Sequence, residues 1–114
     1  MKLVDKNIST SELQSMAEKM HGNLVKAVVD IEREIMVVDA DLHADEEEFL
    51  LENDSEQKNL WGINIHPEKF GFDDWIEFDS MINLRPAQNN KTRGIDNTEI
   101  REKIIKIVKK LVIK

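Results

Sequence analysis

Cysteine is absent from the 114 residues, so disulfides and thiolate metal sites are excluded. Its absence fits a reducing compartment. Tyrosine is absent too, leaving two Trp and four Phe as the whole aromatic set. A base-stacking platform for nucleic acid needs more aromatic faces set among basic neighbours. Apolar runs extend only a few residues, far below the ~20 needed to span a bilayer, so no membrane association is expected. The N-terminal residues Met1, Lys2, Leu3, Val4, Asp5 and Lys6 offer no apolar leader core. The cytoplasm is the expected location. No internal repeat or low-complexity tract is found.

What is there is charge. Charged residues make up 34% of the chain and the net charge is −7, which argues against broad nucleic-acid binding. Residues 91–114 carry eight basic and three acidic side chains, a net of +5, so the rest carries −12 against the whole chain's −7. The length fits one domain, residues 1–114. A chain of this size buries roughly two-thirds of its unfolded surface and needs no staple.

Helix signals flank a run of strand signals. Ser9 and Glu12 are spaced as a capping box, Ile8 and Leu13 as a hydrophobic staple. Leu13, Met16, Ala17 and Met20 form one apolar stripe, and Gly22 stands where a left-handed helix terminator belongs. Residues 24–31 alternate as a strand, with Val25, Ala27, Val29 and Ile31 on one face and Lys26 and Asp30 on the other. Glu32, Arg33 and Glu34 form a short polar turn, and residues 35–42 read as the returning strand. The stretch 45–52 suits either a helix start, with acids at its positive end, or a strand from Glu48 to Asn53. The strand is preferred, because Asn53, Asp54 and Ser55 form a turn signal between two apolar runs. Residues 60–65 are a strand stopped by Pro67, and residues 75–84 a further strand ended by Pro86. Residues 88–94 are polar and irregular. Asp96 and Glu99 form a second capping box before a helix whose apolar face is Ile100, Ile104, Ile107, Val108, Leu111 and Val112. The expected fold is α+β: a mostly antiparallel sheet of about five strands, with an N-terminal and a C-terminal helix packed on one face.

Three segments are candidates for chemistry. In an extended chain Asp39, Asp41, His43, Asp45 and Glu47 point the same way. Asp41, His43 and Asp45 are the candidate ligands for a divalent metal, the one cofactor the residues suggest. His43 and Asp45 are also the candidate catalytic pair, and His66 a further titratable group near neutral pH. The same alternation serves equally as the solvated face of a half-buried strand. An EF-hand reading from Asp41 to Glu52 fails, since Glu46 stands where Gly is needed and Phe49 at the ninth position. The second candidate is Arg85, Lys91 and Arg93, which precede the last helix and could clamp an anion. With one Gly in that loop it is neither a P-loop nor a dinucleotide fingerprint. The third is the basic last helix, whose apolar face equally suits packing on its own sheet. Trp61 and Trp75 read as core anchors.

Two long stretches carry a family resemblance. The first runs Leu42-His43-Ala44-Asp45-Glu46-Glu47 through residues 50–57 to Leu60-Trp61-Gly62-Ile63-Asn64-Ile65. The second runs from Ile76 through Leu84-Arg85-Pro86, residues 90–95 and residues 99–104. With the 24–31 strand they resemble a family of small prokaryotic proteins without an assigned function. The resemblance covers most of the chain and implies a compact stand-alone domain, but no reaction. In that family Gly often follows the acidic turn residue, where this chain has Ser55 after Asp54. The leading functional expectation is a non-catalytic binding module that self-associates or takes a protein partner. Its rival is a small enzyme or ligand-binding domain for an anionic phosphate or carboxylate, with a metal assisting. The rival needs the His43 and Arg85 segments to meet in space.

Overall fold

The computed structural model describes residues 1–114. Its regular elements are β1 (Lys2–Val4), β2 (Ile8–Ser9), α1 (Thr10–Met20), β3 (Val25–Asp30), β4 (Ile35–Val38), α2 (His43–Glu52), β5 (Leu60–Ile65), β6 (Ile76–Glu77), α3 (Thr98–Leu111) and β7 (Val112–Ile113). Five strands form one antiparallel sheet in the order β1-β4-β3-β5-β6. A separate pair, β2 and β7, is parallel. The expected class, α+β with helices at both ends of an antiparallel sheet, is what the chain adopts.

Both faces of the sheet are covered. On one, Val25, Ala27 and Val29 of β3 join Met36, Val38, Trp61, Ile63 and Ile65 in a core closed by Leu13 and Ala17 of α1 and by Ile104, Ile107, Val108 and Leu111 of α3. The last six belong to the apolar stripes read from helical spacing, of which Met20 is left exposed. On the other face Leu50 of α2 packs with Val28, Ile35, Val37 and Leu60, flanked by Phe49 and Ile82. α1 starts where its capping signal lies: the Ser9 hydroxyl accepts the Glu12 N–H at 3.1 Å. The Glu12 carboxylate does not close the box; it pairs with Lys2 at 2.6 Å. Gly22 follows the helix at φ +87° and donates its N–H to Ala17, as a left-handed terminator does. The β3–β4 turn is held by the buried Asp30 carboxylate, which accepts from the N–H groups of Glu32 and Arg33 and from the Ser55 hydroxyl.

Four expectations need correction. Residues 45–52 belong to helix α2, not a strand. β4 stops at Val38, Asp39 turns the chain at φ +70°, and Asp45 and Glu46 then lie in the first helical turn beside the positive end of the dipole. The strand expected over 35–42 is therefore cut short, and with it the extended row of acids around His43. The strand expected over 75–84 shrinks to Ile76–Glu77. Beyond it the Ser80 hydroxyl accepts the Ile82 N–H and starts a 3₁₀ turn, Met81–Asn83. The last helix is capped one residue later than Asp96, by the Asn97 side chain on the Ile100 N–H. Asp96 instead ties the preceding loop, accepting from the Lys91 N–H and the Thr92 hydroxyl. These contacts hold its carboxyl below the usual range.

Candidate functional site

The second sheet face positions the site. Lys26 lies opposite Asn64 in the register of β3 and β5, on the face that α2 covers. His43 is the first residue of α2 and only 8% exposed. Its Nε2 lies 2.8 Å from the carbonyl of Ile63. A carbonyl only accepts, so Nε2 carries the proton and Nδ1 the lone pair. Burial pulls the His43 pKa below its ordinary value, the carbonyl bond opposes this, and the charges of Lys26 and Arg93 add to the lowering. The ring is neutral at physiological pH. Nδ1 makes no hydrogen bond and is not sealed from solvent.

His43 opens onto a cavity of about 170 Å³ that Lys26, Leu42, Ala44, Ser80 and Arg93 also line. Water occupies about 30 Å³, so the space admits an anion of phosphate size. Leu42 is the N-cap of α2 and has no side chain that can accept a hydrogen bond. No side chain caps the start of the helix, and Leu42, His43 and Ala44 there line the cavity at the positive end of the dipole. Lys26 makes no ion pair. Arg93 donates from Nε to Asp79 at 2.7 Å and leaves its terminal nitrogens without a protein acceptor. Two cations and one carboxylate, already engaged by Arg93, thus surround a neutral imidazole.

Glu46, one turn further along α2, is fully buried. One oxygen accepts the Ala40 N–H at 3.2 Å and the other has no partner. Desolvation pushes its pKa up to about 10, so it is uncharged and does not cancel the cationic cavity.

A pair of buried asparagines fixes the Arg93 segment. Asn83 donates to the carbonyls of Gly62 and Arg93 and accepts the Gly62 N–H. Asn90 donates to the carbonyls of Asn83, Thr92 and Gly94 and accepts the Asp96 N–H. Ser80 adds a bond from its N–H to the Arg93 carbonyl at 2.9 Å.

The residues singled out in the sequence are redistributed. Asp41 is exposed and lies 3.7 Å from His21. Asp45 faces a different groove, with Met1, Glu48, Phe49 and Glu52. No group of three or more His, Asp or Glu side chains is arranged to hold a metal, so Asp41, His43 and Asp45 do not converge. Arg85 lies over the Trp61 ring at 4.1 Å and bonds the carbonyls of Gln57 and Leu60. Lys91 contributes its backbone N–H to Asp96 and stays outside the cavity. His66 contacts Glu77 at 3.3 Å. Of the two segments that had to meet, His43 meets Arg93 and not Arg85. Lys26, Ser80, Glu46, Asn83 and Asn90 were not singled out. The signal for Lys26 was its place as the one cation in a strand of Val and Ala.

Fold and cavity define the class: a small α+β protein with an antiparallel sheet covered on both faces and a cationic pocket at one helix N-terminus. Within that class the chain belongs to the family described as Protein of unknown function (DUF5674), whose model matches residues 2–111. That description assigns the family no function, as the resemblance of the motifs implied. No curated protein and no solved structure matches the chain at a significant level. No helix is long and apolar enough to cross a membrane.

Proposed function

We propose that this protein is a binding module for a small anion, a phosphate or carboxylate, held at the N-terminus of α2. The observation that carries the reading is that Lys26, Arg93, His43 and the start of α2, which no side chain caps, line one cavity. Cations supply charge, and amides and dipole supply direction. The neutral His43 ring offers an acceptor at Nδ1 for a ligand that carries a proton. The test is titration with inorganic phosphate, sulfate and acetate, followed by the His43 ring resonances and the melting temperature. A ligand that binds only the folded state adds about 2.7 kcal/mol at a hundredfold excess over its Kd. Lys26→Met and Arg93→Met should each weaken the response. A flat titration with all three anions would remove the reading.

A second reading rests on the sheet edge. β1 pairs with β4 on one side only, and Met1 and Leu3 beside that edge are exposed. An unpaired edge is a template for another strand, which supports self-association in the cytoplasm as a non-catalytic interaction domain. A strictly monomeric mass at high micromolar concentration would sink it.

A further inference from the structure

Resting on the anion-site reading above, we infer that His43 Nδ1 is a phosphoryl acceptor: a nucleophile that takes a phosphoryl group from a donor bound in the cavity of Lys26, Arg93 and the first turn of α2. Three features of the geometry converge. The Ile63 carbonyl holds the proton on Nε2 at 2.8 Å, so the lone pair is confined to Nδ1. Nδ1 has no protein partner and lies on a ring that lines the cavity. The groups around that cavity suit the three oxygens of a transferring phosphoryl group, since Lys26 makes no ion pair and the terminal nitrogens of Arg93, which also lines it, have no protein acceptor. Ser80 lines the same cavity, but its hydroxyl accepts from Ile82 and makes no bond to His43. The imidazole is therefore the nucleophile the site offers.

The step balances without a base. With phosphoramidate as donor, the Nδ1 lone pair forms the N–P bond. The donor reacts as its N-protonated zwitterion, so when its P–N bond breaks the electron pair leaves on nitrogen and neutral ammonia departs with the proton it already carried. The ring becomes a phosphoryl-imidazolium, and its Nε2–H remains on the Ile63 carbonyl, which stabilises the new positive charge. Lys26 and Arg93 offset the phosphoryl charge. The natural donor class is a phosphoryl compound with a comparably good leaving group, such as another N–P bond or an acyl phosphate.

The test is incubation of the whole chain with phosphoramidate, read by intact mass and by nitrogen-correlated NMR of the histidine rings. The expected result is one phosphoryl group on His43 Nδ1, added about tenfold or more faster than to the same chain unfolded in urea. His43→Gln should abolish it. Should that variant fail to fold, His21→Gln with His66→Gln leaves His43 as the only histidine and should keep the full reaction. Lys26→Met should slow it. An unchanged mass with a His43 ring that still shifts in inorganic phosphate overturns the phosphoryl transfer and leaves the binding module standing. An unchanged mass with no phosphate shift overturns both. Equal rates in urea, or phosphorylation spread over His21 and His66, also overturns the inference.

Discussion

His43 reaches from the first turn of α2 to the carbonyl of Ile63 at 2.8 Å, and that single bond joins the helix start to a central strand while fixing the ring's tautomer. Its burial sets a sign for pH. The folded pKa lies below the ordinary 6.5, chiefly through desolvation. As pH falls through 6.5 the unfolded chain takes up a proton that the folded chain refuses, so stability contributed by the neutral ring is lost as pH falls toward the folded value. In urea unfolding across mildly acidic pH, the stability of the wild type relative to His43→Gln should therefore fall as pH falls below 6.5. An identical pH dependence in both would mean the ring is solvated.

Glu46 has the opposite sign. Its pKa is raised from 4.5 to about 10 by burial. Above 4.5 the unfolded chain releases a proton that the folded chain keeps, so stability falls as pH rises through the window between those values. Glu46→Gln retains an oxygen for the Ala40 N–H and removes the ionisation. It should be more stable than the wild type at pH about 8, by about 1 kcal/mol or more, with the gap closing toward pH about 5. The two slopes partly cancel in the wild type between 4.5 and 6.5, so only the single variants separate them. A Glu46→Gln variant whose advantage does not grow with pH would contradict the buried, protonated carboxyl.

Those two residues also explain what the sequence concealed. Terminal helices were legible because Ser9 caps α1, and the stripes of α1 and α3 are apolar at helical spacing. β3 and β5 were legible from β-branched runs bounded by turn residues. α2 was not, because the face it buries is His43, Glu46 and Leu50, at i, i+3 and i+7. Two of the three are polar, so a search for apolar periodicity sees only the run Phe49-Leu50-Leu51, which looks like a strand. The site was half legible. His43 and Arg93 stood out by residue type, while Asn83 and Asn90 sat in stretches where asparagine signals only a turn. Asn83 replaces strand pairing at Gly62 on the outer edge of β5, and Asn90 ties Asn83 to the 92–96 loop, long-range roles without local spacing.

Asn90→Ala tests that role. The change leaves the carbonyls of Asn83, Thr92 and Gly94 and the N–H of Asp96 without their common partner. The loss should be about 2–4 kcal/mol in urea unfolding, above a typical single substitution. Arg93 should lose its position, so phosphate affinity should drop in parallel. A change of under about 0.5 kcal/mol, the range of surface substitutions, would mean water replaces the side chain without cost.

Gly62→Ala tests the close approach beneath the cavity. A Cβ there would stand 2.6 Å from both Cβ and Oγ of Ser80 and 3.2 Å from Ile82 Cγ1. Ser80 cannot give way easily, since its N–H is bonded to Arg93 and its hydroxyl to Ile82. The expected cost is about 1–3 kcal/mol, measured by urea unfolding, with weaker phosphate binding because Ser80 lines the cavity. Unchanged stability would show that the 3₁₀ turn lifts freely.

Arg85 and Arg93 separate structure from binding. Arg85 bonds the Gln57 and Leu60 carbonyls from above the Trp61 ring, and burial lowers its pKa. Arg85→Met should therefore cost about 1.5–3 kcal/mol, the worth of hydrogen bonds to a charged group, and should alter Trp61 fluorescence. Arg85→Lys should recover little of this, because a lysine lacks the planar fork that reaches two carbonyls from an aromatic face. Arg93 is more exposed and has one protein acceptor, Asp79. Arg93→Met should change stability by less than about 1 kcal/mol yet lower phosphate affinity about tenfold. Measuring both quantities on both variants decides the matter. If Arg85→Met abolishes phosphate binding while remaining folded and Arg93→Met does not, the anion lies at the Trp61 edge and the cavity at His43 is not its site.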